Sequence, residues 1–338
     1  MRSISLHFTV NSCVGFSEPL FMDTTIAKSP DLSVEIPADS SKTPQWFEDA
    51  LTMPRSEGWL DSGGCPVHYF SWGKPANPGI LLLHGFLAHS RCFAFIAPLL
   101  AKEFHVVAYD FSGMGDSGIR DSYPDQVRLQ ELMDVAATTG LFDNEQKPTI
   151  IAHSYGGGIG LTAMEERGEH FSRLVICDLM TLRPERLQAH TDNNKRPGSQ
   201  DPKRPNKIYP DYATAKGRFV LSPPQKVNEA YLFDYMAYHS LQEVEGGWSW
   251  KFHPSVFEHG NDLHERLLGQ GKRIASAPGS LVIVYGEQSA LFDADSADYV
   301  RECGGGHIPM IAIPDARHHL MLDQPVAFAS VLMTILTL

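Results

Sequence analysis

Ile150-Ile151-Ala152-His153-Ser154-Tyr155-Gly156-Gly157-Gly158 is the stretch on which the reading of this chain turns. An apolar run from Pro148 to Ala152 has the length of a buried strand and stops abruptly at a serine. Small residues, Ala152 and Gly156, flank that serine two places on either side, and a helix is expected from about Tyr155 to Glu166. A strand that turns so sharply into a helix presses the flanking backbones together, so the flanks must be small. It also forces the serine toward positive φ, at a cost of ~1–3 kcal/mol that persists mainly where function requires it. The stretch therefore reads as a turn that lifts the Ser154 hydroxyl above a sheet. As a structural motif alone, it is a glycine-rich loop with an incidental serine.

Working outward, other apolar runs end in polar, glycine-containing turns. Ile80-Leu81-Leu82-Leu83 leads into His84-Gly85-Phe86, and Val106-Val107-Ala108-Tyr109 into Asp110-Phe111-Ser112-Gly113-Met114-Gly115-Asp116-Ser117. Near the C-terminus, Ile311-Ala312-Ile313-Pro314 precedes Asp315-Ala316-Arg317-His318-His319 and then Leu320-Met321-Leu322-Asp323-Gln324-Pro325. Strands are expected near 59–60, 67–72, 80–83, 105–109, 149–153, 174–178, 281–285 and 310–313. Helices are expected near 93–102, 124–139, 155–167, 296–301 and 325–336. Runs of leucine and β-branched residues without polar alternation suit a parallel sheet covered on both faces, with the early strands as an antiparallel edge.

Taken together, these motifs resemble those of the α/β-hydrolase superfamily, in its serine-nucleophile, esterase-like branch, from Gly58 to Leu338. The resemblance implies an α/β fold: a mostly parallel eight-stranded sheet with helices on both faces and a helical cap inserted after the sixth strand. About a hundred residues between Asp178 and Leu281 exceed any ordinary loop and are rich in aromatics such as Tyr212, Tyr235, Trp248 and Trp250. The expected organisation is an N-terminal extension over 1–57, core over 58–182, cap over 183–270 and core again over 271–338. Most cap aromatics are expected to form the cap's own core, and the remainder to wall a pocket.

The resemblance also implies roles. Ser154 is the expected nucleophile, a poor one until a base takes its proton. The family spacing His-x-x-x-x-(Asp/Glu)-x-Pro counts back from Asp323 and Pro325 to His318 as that base, with Arg317 standing where the family usually has glycine. His319 is then a neighbour, and His153, His84 and Asp110 are structural. The usual acid would stand at the fourth position of Gly286-Glu287-Gln288-Ser289, where this chain has serine. Asp178, closing Val175-Ile176-Cys177, is the expected substitute, with Asp293 as the alternative and Glu287 behind it. The oxyanion hole is expected from the backbone N–H groups of Phe86 and Tyr155, the latter at a helix start. The expected activity is hydrolysis of an ester or lactone through an acyl-enzyme. Carbon–carbon bond hydrolysis of a ring-cleavage-type diketone, or non-catalytic binding of a small molecule on the same fold, are the alternatives. Serine at the turn argues against epoxide hydrolase and dehalogenase chemistry, which in this superfamily uses aspartate there.

Bulk properties bound the rest. The 338 residues can bury a large core. The net charge of −12 disfavours nucleic acid or an anionic membrane as partner. Five scattered cysteines show no disulfide or zinc spacing. Neither a dinucleotide fingerprint nor a phosphate-binding lysine motif is present, so no cofactor and no metal are expected. No apolar run reaches membrane-spanning length, and residues 1–20 make a weak secretory signal, so a cytoplasmic protein acting on an apolar, ester-like small molecule is expected. Met22 is a possible alternative start.

Overall fold

The structure, a computed structural model, describes residues 43–193, 204–258 and 267–338. Its ten strands are β1 (Arg55–Ser62), β2 (Cys65–Trp72), β3 (Gly79–Leu83), β4 (His105–Tyr109), β5 (Thr149–His153), β6 (Arg173–Cys177), β7 (Leu241–Val244), β8 (Gly247–Trp250), β9 (Leu281–Gly286) and β10 (Met310–Ile313). Eight form one sheet in the order β1-β2-β4-β3-β5-β6-β9-β10. β1 pairs antiparallel with β2 and β2 with β4, and every later neighbour is parallel.

The absence of polar alternation has a direct cause. Leu81, Leu83, Ile150, Ala152, Leu174 and Ile176 join one core cluster, while Ile80, Leu82, Ile151, Val175 and Cys177 join the other. Odd and even positions of each central strand thus enter different cores, so both must be apolar. Helices Asp125–Thr138 and Tyr155–Arg167 pack on the first side, and Pro325–Thr337 on the second. The carboxyl ends of the parallel strands converge where the strand order doubles back between β4, β3 and β5, which is where open α/β sheets place ligands.

Three regions differ from expectation. Helix Gln45–Thr52 lies in the segment expected as an extension, yet Phe47 is buried, with its ring 4.9 Å from that of Tyr231 and 5.4 Å from that of Phe95. Residues 45–57 are therefore part of the packed body. Residues 1–42, with the weak signal and Met22, lie outside the described residues. The helix expected over 93–102 is instead a 3-10 turn, Ser90–Phe93, and one short helix, Ala97–Leu100. The long insertion holds helices Pro184–Asn193, Tyr212–Lys216 and Ala230–His239, but also the antiparallel hairpin β7–β8. Its aromatics mostly pack among themselves, with Tyr209 against Trp250 and Tyr212 against Trp248 and Tyr238.

The Asp110–Ser117 loop is structural. Buried His68 binds Asp110 through Nδ1 (2.8 Å) and Glu57 through Nε2 (2.9 Å), and Asp110 also accepts from the Ser90 and Asp116 N–H groups. Burial works against a charged His68, but the two carboxylates outweigh it and raise its pKa to about 9. The folded value lies above the unfolded value of about 6.5, so this pairing stabilises fully at low pH and is lost as pH rises through about 9. Thermal melts should therefore show the midpoint falling between about pH 6.5 and 9, and a His68→Gln variant should be less stable but flatter across that window. Equal slopes in the two proteins would contradict the assignment.

Among the described residues, Cys65, Cys92, Cys177 and Cys303 are free thiols, and no helix is long and apolar enough to cross a membrane.

Candidate active site

Ser154 follows β5 directly and caps the start of helix Tyr155–Arg167 with φ 52° and ψ −121°. The turn is tight because a Cβ on Gly156 would stand 2.8 Å from both the Leu83 Cβ and the His84 carbonyl oxygen. Gly156→Ala should therefore cost about 1–3 kcal/mol in urea unfolding, with backbone atoms that cannot yield. Gly158→Ala, two residues on, meets nothing within 4 Å and should stabilise the helix by about 0.5–1 kcal/mol. A similar cost for both would remove the steric account of the turn.

Among the described residues, the non-glycine residues at positive φ are Leu87, Ser154, Asp178 and Asp315. Each belongs to a loop at the carboxyl edge around Ser154, so backbone strain is concentrated here.

His318 lies on the loop after β10, nearly fully buried, and its Nδ1 is 2.8 Å from Asp178 Oδ1. A carboxylate only accepts, so Nδ1 carries the proton and Nε2 the lone pair. Nε2 is buried without a hydrogen-bond partner. The Ser154 hydroxyl is thus not bonded to it in this conformation.

Asp178 leaves β6 fully buried and collects three donors. His318 Nδ1–H and Ser289 Oγ–H (2.6 Å) reach Oδ1, and Gly286 N–H (2.9 Å) reaches Oδ2. Ser289 stands at the position where the family pattern puts its acid, and here its hydroxyl donates to Asp178 instead. A side chain at Gly286 would collide with the Ala316 and Arg317 carbonyls, so glycine lets the histidine loop close on β9. Asp293 is not brought to His318. It caps helix Ala294–Val300 through Ser296 N–H and forms a bidentate pair with Arg186. Glu287 is exposed.

Two braces were not read from the sequence. His153 Nε2 donates to the His318 carbonyl (2.9 Å), pinning the histidine loop to the end of β5, and burial pushes the His153 pKa down to about 3. Asp323 accepts from the Arg317 N–H, and Gln225 of the insertion donates to Asp323 and accepts from the His319 N–H. The regular His-x-x-x-x-Asp spacing was the available signal for Asp323. Neither His153 nor Gln225 carries a local signal, because their partners lie 165 and about 95 residues away.

His84 explains the other side of the site. Its Nε2 accepts from the Phe111 N–H (3.0 Å), so Nδ1 bears the proton and donates to the Gly85 carbonyl (2.7 Å). Burial holds the ring neutral, with its pKa down to about 4. In a trans peptide the C=O and N–H point in opposite directions. Fixing the Gly85 carbonyl on His84 therefore aims the Phe86 N–H away from it, and a Cβ at Gly85 would stand 3.3 Å from the Ser154 Cβ. The Phe86 and Tyr155 rings stand 5.7 Å apart, and Phe257 from the insertion reaches Phe86 at 5.6 Å.

A sequence model described as the alpha/beta hydrolase family matches residues 80–331. A mouse serine hydrolase-like protein is 31% identical over 107 residues, covering 32% of this chain and 34% of that protein. The Pseudomonas putida 1H-3-hydroxy-4-oxoquinoline 2,4-dioxygenase is 31% identical over 136 residues, covering 39% of this chain and 47% of its own length. The matched stretches thus span a third to about half of these relatives. Among solved structures, an E-2-(acetamidomethylene)succinate hydrolase superposes with a TM-score of 0.67 at 18% identity, over 84% of this chain and all of that one.

Proposed function

Because the chain belongs to the alpha/beta hydrolase family, we propose that it is a serine hydrolase cleaving a carboxylic ester or lactone. The observation that carries this is the buried Asp178–His318 pair, whose outer nitrogen, Nε2, is left without a partner. In this reading Ser154 Oγ attacks the carbonyl carbon while His318 Nε2 takes its proton. Asp178 holds the Nδ1–H tautomer and stabilises the imidazolium as it forms. The tetrahedral oxyanion takes the N–H groups of Phe86 and Tyr155, each worth roughly 3–4 kcal/mol in the transition state. Collapse expels the alcohol, which receives the proton from His318. Water then repeats the cycle on the acyl-enzyme and releases the acid.

The insertion acts as a cap in this scheme. Phe86, Tyr155 and Phe257 offer an apolar wall beside the serine, which suits an apolar acyl or alcohol group and limits water. No cofactor enters the scheme.

A fluorophosphonate probe tests the reading. Peptide mapping should find one adduct on Ser154, absent in Ser154→Ala and slowed by orders of magnitude in His318→Ala. A folded chain that does not react would refute the nucleophile. A panel of short-chain esters, long-chain esters, lactones and a vinylogous 1,5-diketone then separates ester from carbon–carbon bond cleavage.

A second reading is favoured by one observation, the match to the Pseudomonas dioxygenase. The His318–Asp178 pair would then act directly on the substrate, removing the proton of a ring hydroxyl; the resulting anion would react with dioxygen as co-substrate and oxidant, and Ser154 would only bind. Under that reading Ser154→Ala retains most of the activity.

A further inference from the structure

His153 and His319, which the proposed chemistry does not use, form a cluster with His318. One ring nitrogen of each lies within 4.8 Å of one nitrogen of the other two. Their ring centroids are 4.8 Å (153 to 318), 4.9 Å (318 to 319) and 5.7 Å (153 to 319) apart.

The hydrogen bonds decide which nitrogens are available. His153 Nε2 faces the His318 carbonyl, His318 Nδ1 faces the Asp178 carboxylate, and His319 Nε2 faces the Pro223 carbonyl at 3.3 Å. Each of those acceptors is an oxygen that can only accept, so each of those nitrogens carries a proton. The remaining nitrogens, His153 Nδ1, His318 Nε2 and His319 Nδ1, carry lone pairs. An imidazole whose other N–H is anchored on a carbonyl or carboxylate is the arrangement that orients histidines on a metal ion. His318 Nε2 is buried and unpartnered. His153 Nδ1 packs against Gly85, where an added Cβ would stand 3.0 Å from it. His319 is only partly buried, which gives an ion a route in.

The second cluster, His68, Asp110 and Asp116, lacks this feature. Both His68 nitrogens are already engaged by carboxylates.

We propose that His153, His318 and His319 bind one divalent transition-metal ion of the zinc type, and that this ion inhibits the enzyme by occupying the lone pair of His318 Nε2. The inhibitory half rests on His318 being the catalytic base; the binding half does not. Donors around a tetrahedral zinc stand about 3.3 Å apart at Zn–N distances of about 2.0–2.1 Å. The three rings must therefore turn inward to close on the ion, with a water or the Ser154 oxygen as the fourth ligand.

The test uses the full chain and cobalt(II), whose visible bands are intense only in four-coordinate sites. One equivalent should bind with such bands. His153→Gln and His319→Gln keep a side-chain donor near the place of Nε2–H but lose the lone-pair nitrogen, and each should weaken binding by about 100-fold or more. Melting curves show which variants are folded, and either variant alone suffices. Zinc should slow fluorophosphonate labelling of Ser154 by at least about tenfold, reversibly with a chelator. Absence of the cobalt bands, or unchanged binding in a folded variant, overturns the site. Failure of labelling without any metal would instead overturn the hydrolase reading, while the cobalt spectra still decide the site.

Discussion

Ser154→Ala and His318→Ala should each lower kcat for an ester substrate by roughly 10⁵- to 10⁶-fold, and the double variant should be no worse than either. At about 1.36 kcal/mol per decade this is a loss of about 7–8 kcal/mol of transition-state stabilisation. The size follows from chemistry: without the serine there is no acyl-enzyme, and without the base a neutral hydroxyl must attack. The lack of additivity follows because the two side chains act on one proton transfer. KM should change little, since neither group supplies much ground-state binding. What survives would come from the Phe86 and Tyr155 N–H groups acting on attacking water. Steady-state kinetics over protein freed of contaminating esterase reads this directly. Loss of activity in His318→Ala with near-normal turnover in Ser154→Ala would abandon the acyl-enzyme in favour of direct proton abstraction by the histidine. Additive losses would mean that the two residues do not act together.

How far the sequence reached depends on whether a feature is local. β4 and β5 fall on the expected boundaries because an all-apolar run is bounded by charged or turn residues at each end. Helix Tyr155–Arg167 is placed by the strained serine before it. Gly286-Glu287-Gln288-Ser289 was informative through what it lacked: a serine in the acid's usual position leaves the histidine needing another carboxylate, and Asp178 closes the adjacent strand. The hairpin β7–β8 went unread. Its strands are four residues each, and Tyr238, Trp248 and Trp250 gave that region an aromatic density that resembles helix packing. The glycine pair Gly246-Gly247, both at positive φ, was the turn signal. The partner of His153, expected only to be structural, and the role of Gln225 went unread for a different reason. Their importance lies in hydrogen bonds to a loop near residue 318, and no periodicity or spacing encodes a contact across that much chain.

Asp178→Asn should lower kcat by about 10⁴-fold, with Asp293→Asn within about threefold of the unmodified enzyme. The asymmetry is written in the hydrogen bonds. Three donors converge on the Asp178 carboxylate, two on Oδ1 and one on Oδ2. An amide has a single acceptor oxygen. If its NH₂ takes the Oδ1 position it opposes His318 Nδ1–H and Ser289 Oγ–H, and the imidazole must adopt the wrong tautomer to relieve the clash. If it takes the Oδ2 position it opposes the Gly286 N–H, which belongs to the backbone and cannot rotate away. In both arrangements the negative charge that stabilises the imidazolium is gone. Asp293 is already committed to Arg186 and to the first turn of its helix. Its loss should be read in melting temperature rather than turnover. Ser289→Ala separates positioning from charge. It removes the Oγ–H donor on Oδ1 and frees the Leu291 and Phe292 N–H groups that the same oxygen accepts. It leaves the carboxylate charged and should cost about tenfold in kcat, with KM unchanged. A collapse in Asp293→Asn with a mild Asp178→Asn would transfer the acid's role to the strand-end turn after β9. Mild effects in both would mean that His318 works without a carboxylate, and the buried pair would then be structural.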